Sequence, residues 1–176
     1  MATDNSQSQG NVELSYNIAS MRLQGAVDGT DINTIAYSGG RGGSKESGAI
    51  NNLIANNPFL TGIKLDERKK AQGSVGGALP MGTYVLQLHE TKKNWIRLNP
   101  INVPNMHERA GFAIHGRGQR GSDGCIVPND FQIVIKLCEL VKARKDKKLP
   151  NVLLKVYAVG DLDFFLKNID TWNRTA

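Results

Sequence analysis

The sequence has few residues of the types that mark a disulfide scaffold, a membrane span or an aromatic binding platform. Only 6% of its 176 residues are aromatic, and it has two cysteines. Cys125 lies in a Gly-rich segment and Cys138 in an apolar helical pattern, so we expect reduced thiols and no disulfide framework. No apolar run approaches the length of a membrane span, so we expect no membrane insertion.

The first residues, MATDNSQSQGN, lack the basic and apolar regions of a Sec signal peptide. We therefore expect the protein to be made in the cytoplasm and, if it acts outside the cell, to leave by a route other than Sec. Residues 1–11 are expected to form a disordered tail, residues 12–170 a single domain and residues 171–176 a flexible tail.

The chain carries a net charge of +6. A basic surface suits an anionic partner, and three kinds fit: nucleic acid, a membrane face, or an acidic polymer such as a bacterial cell wall. The densest basic run, KARKDKK at residues 142–148, has no interleaved aromatic residue, so we predict no nucleic-acid partner. The 19 glycines favour strands and turns over a helical bundle.

Short alternating segments separated by turn residues predict a mainly β protein. The segments with this pattern are VELSYNIASMRLQGAV, INTIAYSG, TYVLQLHE, NWIRLNPI, GFAIH, CIVP and NVLLKVYAV. Asp-Gly-Thr at residues 28–30 predicts a hairpin turn, and Thr-Lys-Lys at residues 91–93 joins two of the strands. Such strands around one good helix suit a β-sandwich or mixed sheet, or a barrel, in the β or α+β class.

Helical patterns occur in three segments. The strongest is NDFQIVIKLCELVKARKDKK, with Asn129 or Asp130 as its cap and basic residues in its last turns. Its predicted apolar face consists of Phe131, Val134, Leu137, Cys138 and Val141. GAINNLIANN is a candidate short helix capped by Ser47 and ended by Pro58, and DLDFFLKNI is a candidate carboxy-terminal helix.

The segment IHGRGQRGSDGCIVP combines one of three histidines with one of two cysteines across a Gly-rich loop. His115 ends an apolar strand, and Cys125 follows small residues that leave its sulfur uncovered. A cysteine thiolate, whose ordinary pKa of about 8.5 falls beside an imidazolium, is an acyl-transfer nucleophile. The backbone N–H groups of Gly124 and Cys125 can face an oxyanion, and the Gly116 carbonyl can orient the imidazole.

The run IHG…SDGCIVPND resembles the signature of the L,D-transpeptidase (YkuD-type) catalytic domain family. That signature is a His-Gly at a strand end, a loop, Ser/Thr-His-Gly-Cys, an apolar residue, usually Arg, and the start of a helix. LPMGTYVL is similar to the family's Pro-x-Gly-x-aromatic strand entry. The chain resembles most closely the L,D-transpeptidase-like effectors of type VI secretion, through AYSG, NNP, the Pro-x-Gly-Thr-Tyr segment, WIRL, FAIHG and the acidic residue of Ser-x-Gly-Cys-Ile.

The resemblance implies an L,D-transpeptidase-like mixed β-sandwich that acts on peptidoglycan. It makes Cys125 the nucleophile, His115 the general base and the Gly116 carbonyl the orienting group, with Ser122 and Gly124 shaping the oxyanion site. The implied reaction is attack on the carbonyl of the diamino acid at position three of a stem tetrapeptide. The terminal D-Ala leaves, and the acyl group passes to water (L,D-carboxypeptidase) or to an amine (L,D-transpeptidase).

The same resemblance implies a biological setting. An antibacterial secreted effector of this kind acts as a toxin in the periplasm of a target bacterium. Its implied partners are the peptidoglycan stem peptides, an immunity protein and a component of the secretion apparatus. A wall substrate also suits the basic charge of the chain, because the wall is anionic.

Two positions depart from the family pattern. Asp123 stands where the wider family has His, and a carboxylate there disfavours the thiolate, so we expect it to point away or to pair with Arg117 or Arg120. Val127 stands where the family usually has Arg, so another cation is needed if that Arg holds a substrate carboxylate. The candidates are Arg109, Arg117 and Arg120.

Tyr37, Arg97 and His89 are weaker candidates to line the same cleft, and a solvated strand end is the commoner place for such a His. No spacing of His and Cys matches a metal-binding motif, and GGRGG lacks the Gly-Lys-Ser/Thr of a phosphate loop, so we predict no metal and no cofactor. Two alternatives stay open: a non-catalytic cell-wall-binding module with the same fold, and a Cys/His peptidoglycan amidase or endopeptidase.

Overall fold

The described part of the chain forms a closed barrel of eight strands with one α-helix packed against it. The computed structural model describes residues 12–40, 50–51, 53–66, 68, 75–116 and 122–159. Around the barrel the strands follow the order β1-β2-β3-β7-β6-β5-β4-β8. The elements are β1 (Val12–Asn17), β2 (Arg22–Val27), β3 (Thr30–Ser38), a 3₁₀ helix (Pro58–Leu60), β4 (Gly82–Leu88), β5 (Trp95–Asn102), β6 (Ala113–His115), β7 (Ile126–Pro128), α1 (Phe131–Asp146) and β8 (Val152–Tyr157).

Alternating apolar residues explain why these segments form strands. In β1, Leu14 and Tyr16 are fully buried while their neighbours are more exposed, and β4 repeats the pattern with Tyr84 and Leu86. Successive side chains of a strand point to opposite faces, so such a strand sends one apolar row into the core. The mainly β class predicted from this alternation is confirmed.

The pairing of the strands makes the sheet a barrel. β1 pairs with β2 in antiparallel orientation and with β8 in parallel orientation, so the first and last described strands close the sheet. β6 and β7 are also parallel. Of the predicted architectures, a sandwich, a mixed sheet or a barrel, the closed sheet is the barrel. Alternation along single strands specifies which side chains face inward, but it does not specify which strands share an edge.

The predicted hairpin turn joins β2 to β3. Asp28 and Gly29 have φ values of 49 and 78, the left-handed backbone that a tight hairpin requires. The Asp28 carboxylate also accepts an N–H of Arg144, a buried guanidinium of α1 whose Nε donates to the Pro150 carbonyl at 2.8 Å. The turn therefore anchors the end of the helix to the barrel.

Helix α1 begins after Asp130, whose carboxylate accepts the Gln132 N–H at 2.9 Å, so Asp130 and not Asn129 is the cap. The helix contacts β4, β5, β6 and β7. Phe131 does not belong to the apolar face, because it is 44% exposed and covers Gly116 at the helix start. The face that joins the core consists of Ile133, Val134, Leu137 and Val141. Across the described residues, no helix combines the length and apolar character that crossing a membrane requires.

The predicted helix GAINNLIANN is wrong for the residues described there, which form turns up to residue 56. Asparagine side chains bond to nearby backbone groups instead: Asn51 accepts the Leu53 N–H at 3.0 Å, and Asn57 caps the short 3₁₀ helix by accepting the Phe59 N–H at 3.0 Å. Such local bonds compete with a helix. The candidate carboxy-terminal helix and both expected tails lie outside the described residues.

Candidate active site

Two short parallel strands bring the predicted base and nucleophile to one side of the sheet. Ile114 of β6 is the register partner of Ile126 of β7, and both side chains are fully buried in the core. Because side chains alternate along a strand, His115 after Ile114 and Cys125 before Ile126 belong to the opposite face. His115, at the end of β6, and Cys125, just before β7, therefore lie on the same face of two neighbouring parallel strands.

The imidazole of His115 is held by two contacts. Nδ1 lies 2.7 Å from the Gly116 carbonyl oxygen, and a carbonyl can only accept, so Nδ1 carries the proton. The ring stacks on Trp95, its register partner on β5, with centroids 4.0 Å apart and planes at 8°. In the neutral ring, Nε2 is then the unprotonated nitrogen, as a general base requires.

Burial keeps His115 neutral. It lowers the pKa of the imidazole below its ordinary value of 6.5, the hydrogen bond with Gly116 raises that pKa, and the nearby Lys92 ammonium lowers it. Only 5% of the residue is exposed. At neutral pH the ring is therefore ready to accept a proton.

Burial also raises the pKa of the Cys125 thiol to about 11. A backbone hydrogen bond with Ala113 lowers this pKa, the Asp123 carboxylate raises it, and the cations of Lys92 and Arg109 lower it. The thiol is protonated at neutral pH, which differs from the preformed thiolate that the sequence suggests. Both the thiol and the imidazole are therefore neutral at neutral pH, and a base that activates such a thiol has to take its proton during the attack.

Ser122 organises the turn at residues 122–125, called the nucleophile turn after the predicted role of Cys125. Its hydroxyl donates to the Cys125 carbonyl at 2.6 Å and accepts the N–H of Gly124 at 3.1 Å and of Gly39 at 3.4 Å. The Gly124 N–H is already paired in this way, contrary to the expectation that it faces an oxyanion. The Cys125 N–H has no hydrogen-bond partner among the described residues, which leaves it as the backbone donor beside the sulfur.

Arg109 is a buried cation beneath the same turn, with 7% of the residue exposed. Its Nη1 donates to the Thr61 carbonyl and, at 2.7 Å, to the Ala78 carbonyl. Its Nη2 donates at 2.8 Å to the carbonyls of Gly77 and Asp123. The terminal N–H groups are used in joining three chain segments, so the structure gives Arg109 a positioning role and not the predicted binding of a substrate carboxylate.

Asp123 faces the segment that precedes β4. Its Oδ1 accepts the Gly76 N–H at 3.2 Å, and its carbonyl accepts from Arg109. The side chain thereby ties the nucleophile turn to residues 75–80. Arg117 and Arg120, the partners expected for it and the other candidates for a substrate carboxylate, lie outside the described residues.

The backbone between Asp123 and Cys125 requires a glycine at position 124. Its φ is +120, and a Cβ there would lie 2.5 Å from Arg109 Nη2 and 2.5 Å from the Phe112 ring. Both the backbone conformation and the close approach exclude a side chain. The Gly before Cys125 therefore lets the turn pack directly on the buried guanidinium.

Sequence reasoning missed Ser38, at the end of β3. This residue is fully buried, and its hydroxyl donates to the Gly124 carbonyl at 2.8 Å and accepts the Leu79 N–H at 2.9 Å. A polar residue ending the apolar run IAYS was the available signal. Tyr37, which is predicted to line the site, is the register partner of Val127 and lies buried beside β7.

The two remaining candidates lie at the β4–β5 end of the site. The Arg97 Nε donates to the Glu90 carboxylate at 2.7 Å, so this guanidinium already has an acidic partner. His89 Nδ1 accepts the N–H groups of Thr91 and Lys92 at 3.2 Å, and its ring meets Trp95 edge-on at 6.0 Å. His89 therefore supports the turn and Trp95.

Within the ranges that the structure describes, no group of three or more His, Cys, Asp or Glu residues could hold a metal ion. Both cysteines are free thiols.

No family model, no curated protein and no solved structure matches the chain.

Proposed function

We propose that the protein is a cysteine-dependent peptidoglycan-modifying enzyme, an L,D-carboxypeptidase or L,D-transpeptidase acting on stem tetrapeptides. The observation that carries this proposal is the Nδ1 contact of His115 with the Gly116 carbonyl, on the strand beside Cys125. That contact fixes the tautomer that a base needs to activate a neighbouring thiol. The similarity of the Ser-x-Gly-Cys motif to L,D-transpeptidases supports the substrate class.

In the proposed reaction, the Cys125 sulfur attacks the carbonyl of the third stem residue while His115 Nε2 takes the thiol proton. A C–S bond forms, and the Cys125 N–H donates to the oxyanion. Collapse breaks the C–N bond to the terminal D-Ala, whose amine takes the proton from the imidazolium. Water or a second amine then attacks the thioester, gives a proton to the imidazole, and releases the sulfur, which regains that proton.

The proposal is tested by incubating the protein with tetrapeptide-stem muropeptides and analysing the products by mass. We expect the wild type and Cys138→Ala to release D-Ala or to form cross-links, and Cys125→Ala to do neither. Activity in Cys125→Ala, or its absence in the wild type, would refute the proposal. Cleavage of a different bond that still needs Cys125 would point to the amidase or endopeptidase.

A second candidate function, a non-catalytic wall-binding module, is favoured by one observation. Burial raises the pKa of Cys125 to about 11, which suits a packed thiol better than an activated nucleophile. The two candidates differ in one measurement. A binding module co-sediments with insoluble peptidoglycan and leaves its stem peptides unchanged. The enzyme alters the stem peptides, and the Cys125→Ala variant does not.

We further propose that the enzyme is a secreted antibacterial effector that acts in the target periplasm and is neutralised by an immunity protein. The similarity to type VI effectors supports this setting. Expression in a test bacterium with an added periplasmic leader should slow growth, and expression without the leader or as Cys125→Ala should not. Equal growth of all three strains would contradict the proposal.

A further inference from the structure

Lys92, Trp95 and His115 form a continuous series of contacts, called the base stack. The His115 and Trp95 rings are parallel to within 8°, with their centroids 4.0 Å apart. The Lys92 Nζ lies 3.9 Å from the centroid of a Trp95 ring, the geometry of a cation–π contact. A single indole therefore contacts both the predicted base and a cation.

The members of the base stack come from different elements. Trp95 begins β5 and is the register partner of His115 at the end of β6. Residues directly opposite each other in an antiparallel pair have Cβ atoms about 4.5–5.5 Å apart, a separation at which two rings can stack. Lys92 reaches the indole from the turn that joins β4 to β5. This turn therefore decides where the ammonium lies.

His89 fixes the backbone of the β4–β5 turn. Its Nδ1 accepts the N–H groups of Thr91 and Lys92 at 3.2 Å, and its own N–H donates to the Trp95 carbonyl at 3.0 Å. Its ring also meets the indole edge-on at 6.0 Å. These bonds hold the backbone from which the Lys92 side chain extends.

The Lys92 ammonium forms no ion pair with an acidic side chain of the described ranges. Glu90, on the same turn, pairs instead with Arg97 at 2.7 Å. The positive charge of Lys92 is therefore not neutralised by a described neighbour. The other titratable groups on the elements around the base stack are His89 and Lys93 on the turn, Glu139 and Lys142 on α1, and Asp123 and Cys125 before β7.

The ammonium is close enough to oppose a positive charge on the imidazole. Because each contacts the indole, at 3.9 and 4.0 Å, Lys92 Nζ lies within about 10 Å of the His115 ring, the Debye length at 0.1 M ionic strength. Its charge lowers the pKa of the imidazole and also lowers the pKa of the Cys125 thiol. One cation thus disfavours the imidazolium and favours the thiolate.

We propose that Lys92 and Trp95 are positioning residues of the predicted base His115. The indole fixes the plane of the imidazole, and the ammonium held on the indole opposes protonation of the ring. The inference rests on the proposed function, because it gives both residues a part in the proton transfers of that reaction.

The ammonium acts on both of these proton transfers. Before the attack it keeps the imidazole neutral, so that the ring can accept the proton of the Cys125 thiol. After the attack it makes the imidazolium of His115 a stronger acid, which favours transfer of the same proton to the leaving amine. The indole keeps the imidazole in one orientation through both transfers.

The test is an NMR titration of His115 in full-length protein labelled with ¹⁵N-histidine. The chain has three histidines, so the signal lost in His115→Gln assigns the resonance. Lys92→Met keeps an unbranched stem and removes the charge, so the pKa of His115 should rise by about 0.4 pH unit or more, the effect of one charge about 8 Å away in water. The rise should shrink in about 1 M salt, because salt screens an exposed ammonium.

Two matched variants locate the effect. Lys92→Arg keeps the cation and should leave the pKa of His115 at its wild-type value. Lys93→Met removes the same charge from the neighbouring residue, for which the structure shows no cation–π contact with Trp95 among the described residues, and should change the pKa less. The same pKa in the wild type and Lys92→Met, or an equal rise in Lys93→Met, would overturn the inference.

Trp95→Phe and Trp95→Leu test whether the indole places the ammonium. Trp95→Phe keeps an aromatic face for both neighbours, whereas Trp95→Leu removes it. Adding Lys92→Met should therefore raise the pKa of His115 in the Trp95→Phe background and raise it less in the Trp95→Leu background. An equal rise in both backgrounds would show that Lys92 acts without the ring and would overturn the role of Trp95.

Turnover gives a second readout and separates this inference from the proposed function. Because His115 must be unprotonated to act as a base, the acid side of the pH profile for D-Ala release should move to higher pH in Lys92→Met. A raised pKa of His115 in Lys92→Met, together with no D-Ala release by the wild type, would support the base stack and refute the proposed function. D-Ala release with the same His115 pKa in both proteins would support the function and refute the inference.

Discussion

Cys125 and His115 are both driven toward their neutral forms, and burial is the largest cause for each. The pKa of the thiol rises to about 11, and the pKa of the imidazole falls below 6.5. A raised thiol pKa leaves little thiolate at neutral pH, and a lowered imidazole pKa leaves a base without a proton. At the residue scale, the two groups therefore rest as a neutral thiol and a neutral imidazole and not as a stable ion pair.

This arrangement predicts how Cys125 reacts with iodoacetamide in a Cys138→Ala background, which removes the other thiol. The reactive species is the thiolate, so the rate should climb steadily from pH 7 to pH 10, about tenfold for each pH unit, without reaching a plateau. The measurement is the alkylation rate by intact mass against pH. A plateau near pH 7 would show a preformed thiolate and contradict the neutral pair.

His115→Ala, made in the Cys138→Ala background, tests whether the imidazole affects the reactivity of Cys125. If the imidazole does not lower the pKa of the thiol in the resting site, the shape of the pH profile should not change. A shift of the profile to higher pH on this substitution would instead show that an imidazolium had been stabilising the thiolate.

At the scale of elements, the nucleophile turn is built by side chains from distant parts of the chain. Ser38 at the end of β3 and Arg109 before β6 both bond to the backbone of residues 123–124. The guanidinium also joins the carbonyls of residues 61, 77 and 78. These long-range bonds are needed because the strands that flank the turn, β6 and β7, have only three residues each and are too short to fix it alone.

Arg109→Met is therefore predicted to cost both stability and activity. The substitution keeps an unbranched apolar stem and removes donors from buried backbone carbonyls, which costs about 3 kcal/mol or more in the free energy of unfolding. Thermal and denaturant unfolding followed by circular dichroism measure the loss.

The comparison is Arg97→Met, which removes an arginine whose carboxylate partner is exposed and should leave the melting temperature almost unchanged. Similar melting temperatures for the two variants would show that the contacts of Arg109 do not stabilise the turn.

For the whole molecule, stability depends on closing the barrel and attaching α1 to it. β8 pairs with β1 and β4, so the last described strand completes the ring. The helix is attached at its far end through Arg144, whose side chain is 3% exposed and pairs with Asp28 in the β2–β3 turn. That ion pair links elements separated by 116 positions in sequence.

Asp28→Asn is predicted to destabilise the fold by about 1–3 kcal/mol, because it leaves the buried guanidinium without a carboxylate. Asn tolerates the left-handed backbone at this position, so the change isolates the charge from the turn conformation. Urea unfolding gives the difference, with Asp31→Asn, at an exposed position of β3, as the matched control. If both substitutions have the same small effect, the ion pair is not what attaches the helix.

Local patterns in the sequence were sufficient to predict the strands, the turn at Asp28 and the capped helix α1. Period-two alternation and turn residues depend on neighbours within a few positions, and such signals are readable without tertiary information. The same reasoning failed for GAINNLIANN, where asparagine side chains bond to the backbone and form turns. It also assigned Phe131 to the core, although a helix end can leave the core while its pattern continues.

The sequence by itself determined the mainly β class and the pair of residues, His115 and Cys125, around which the candidate site is built. Only the tertiary structure decided that the sheet closes into a barrel, that Arg109 serves the nucleophile turn, and that the Gly124 N–H is already paired. The physical reason is the range of the interactions. Alternation and capping act between near neighbours, whereas barrel closure and the bonds to the nucleophile turn join segments that only folding brings together.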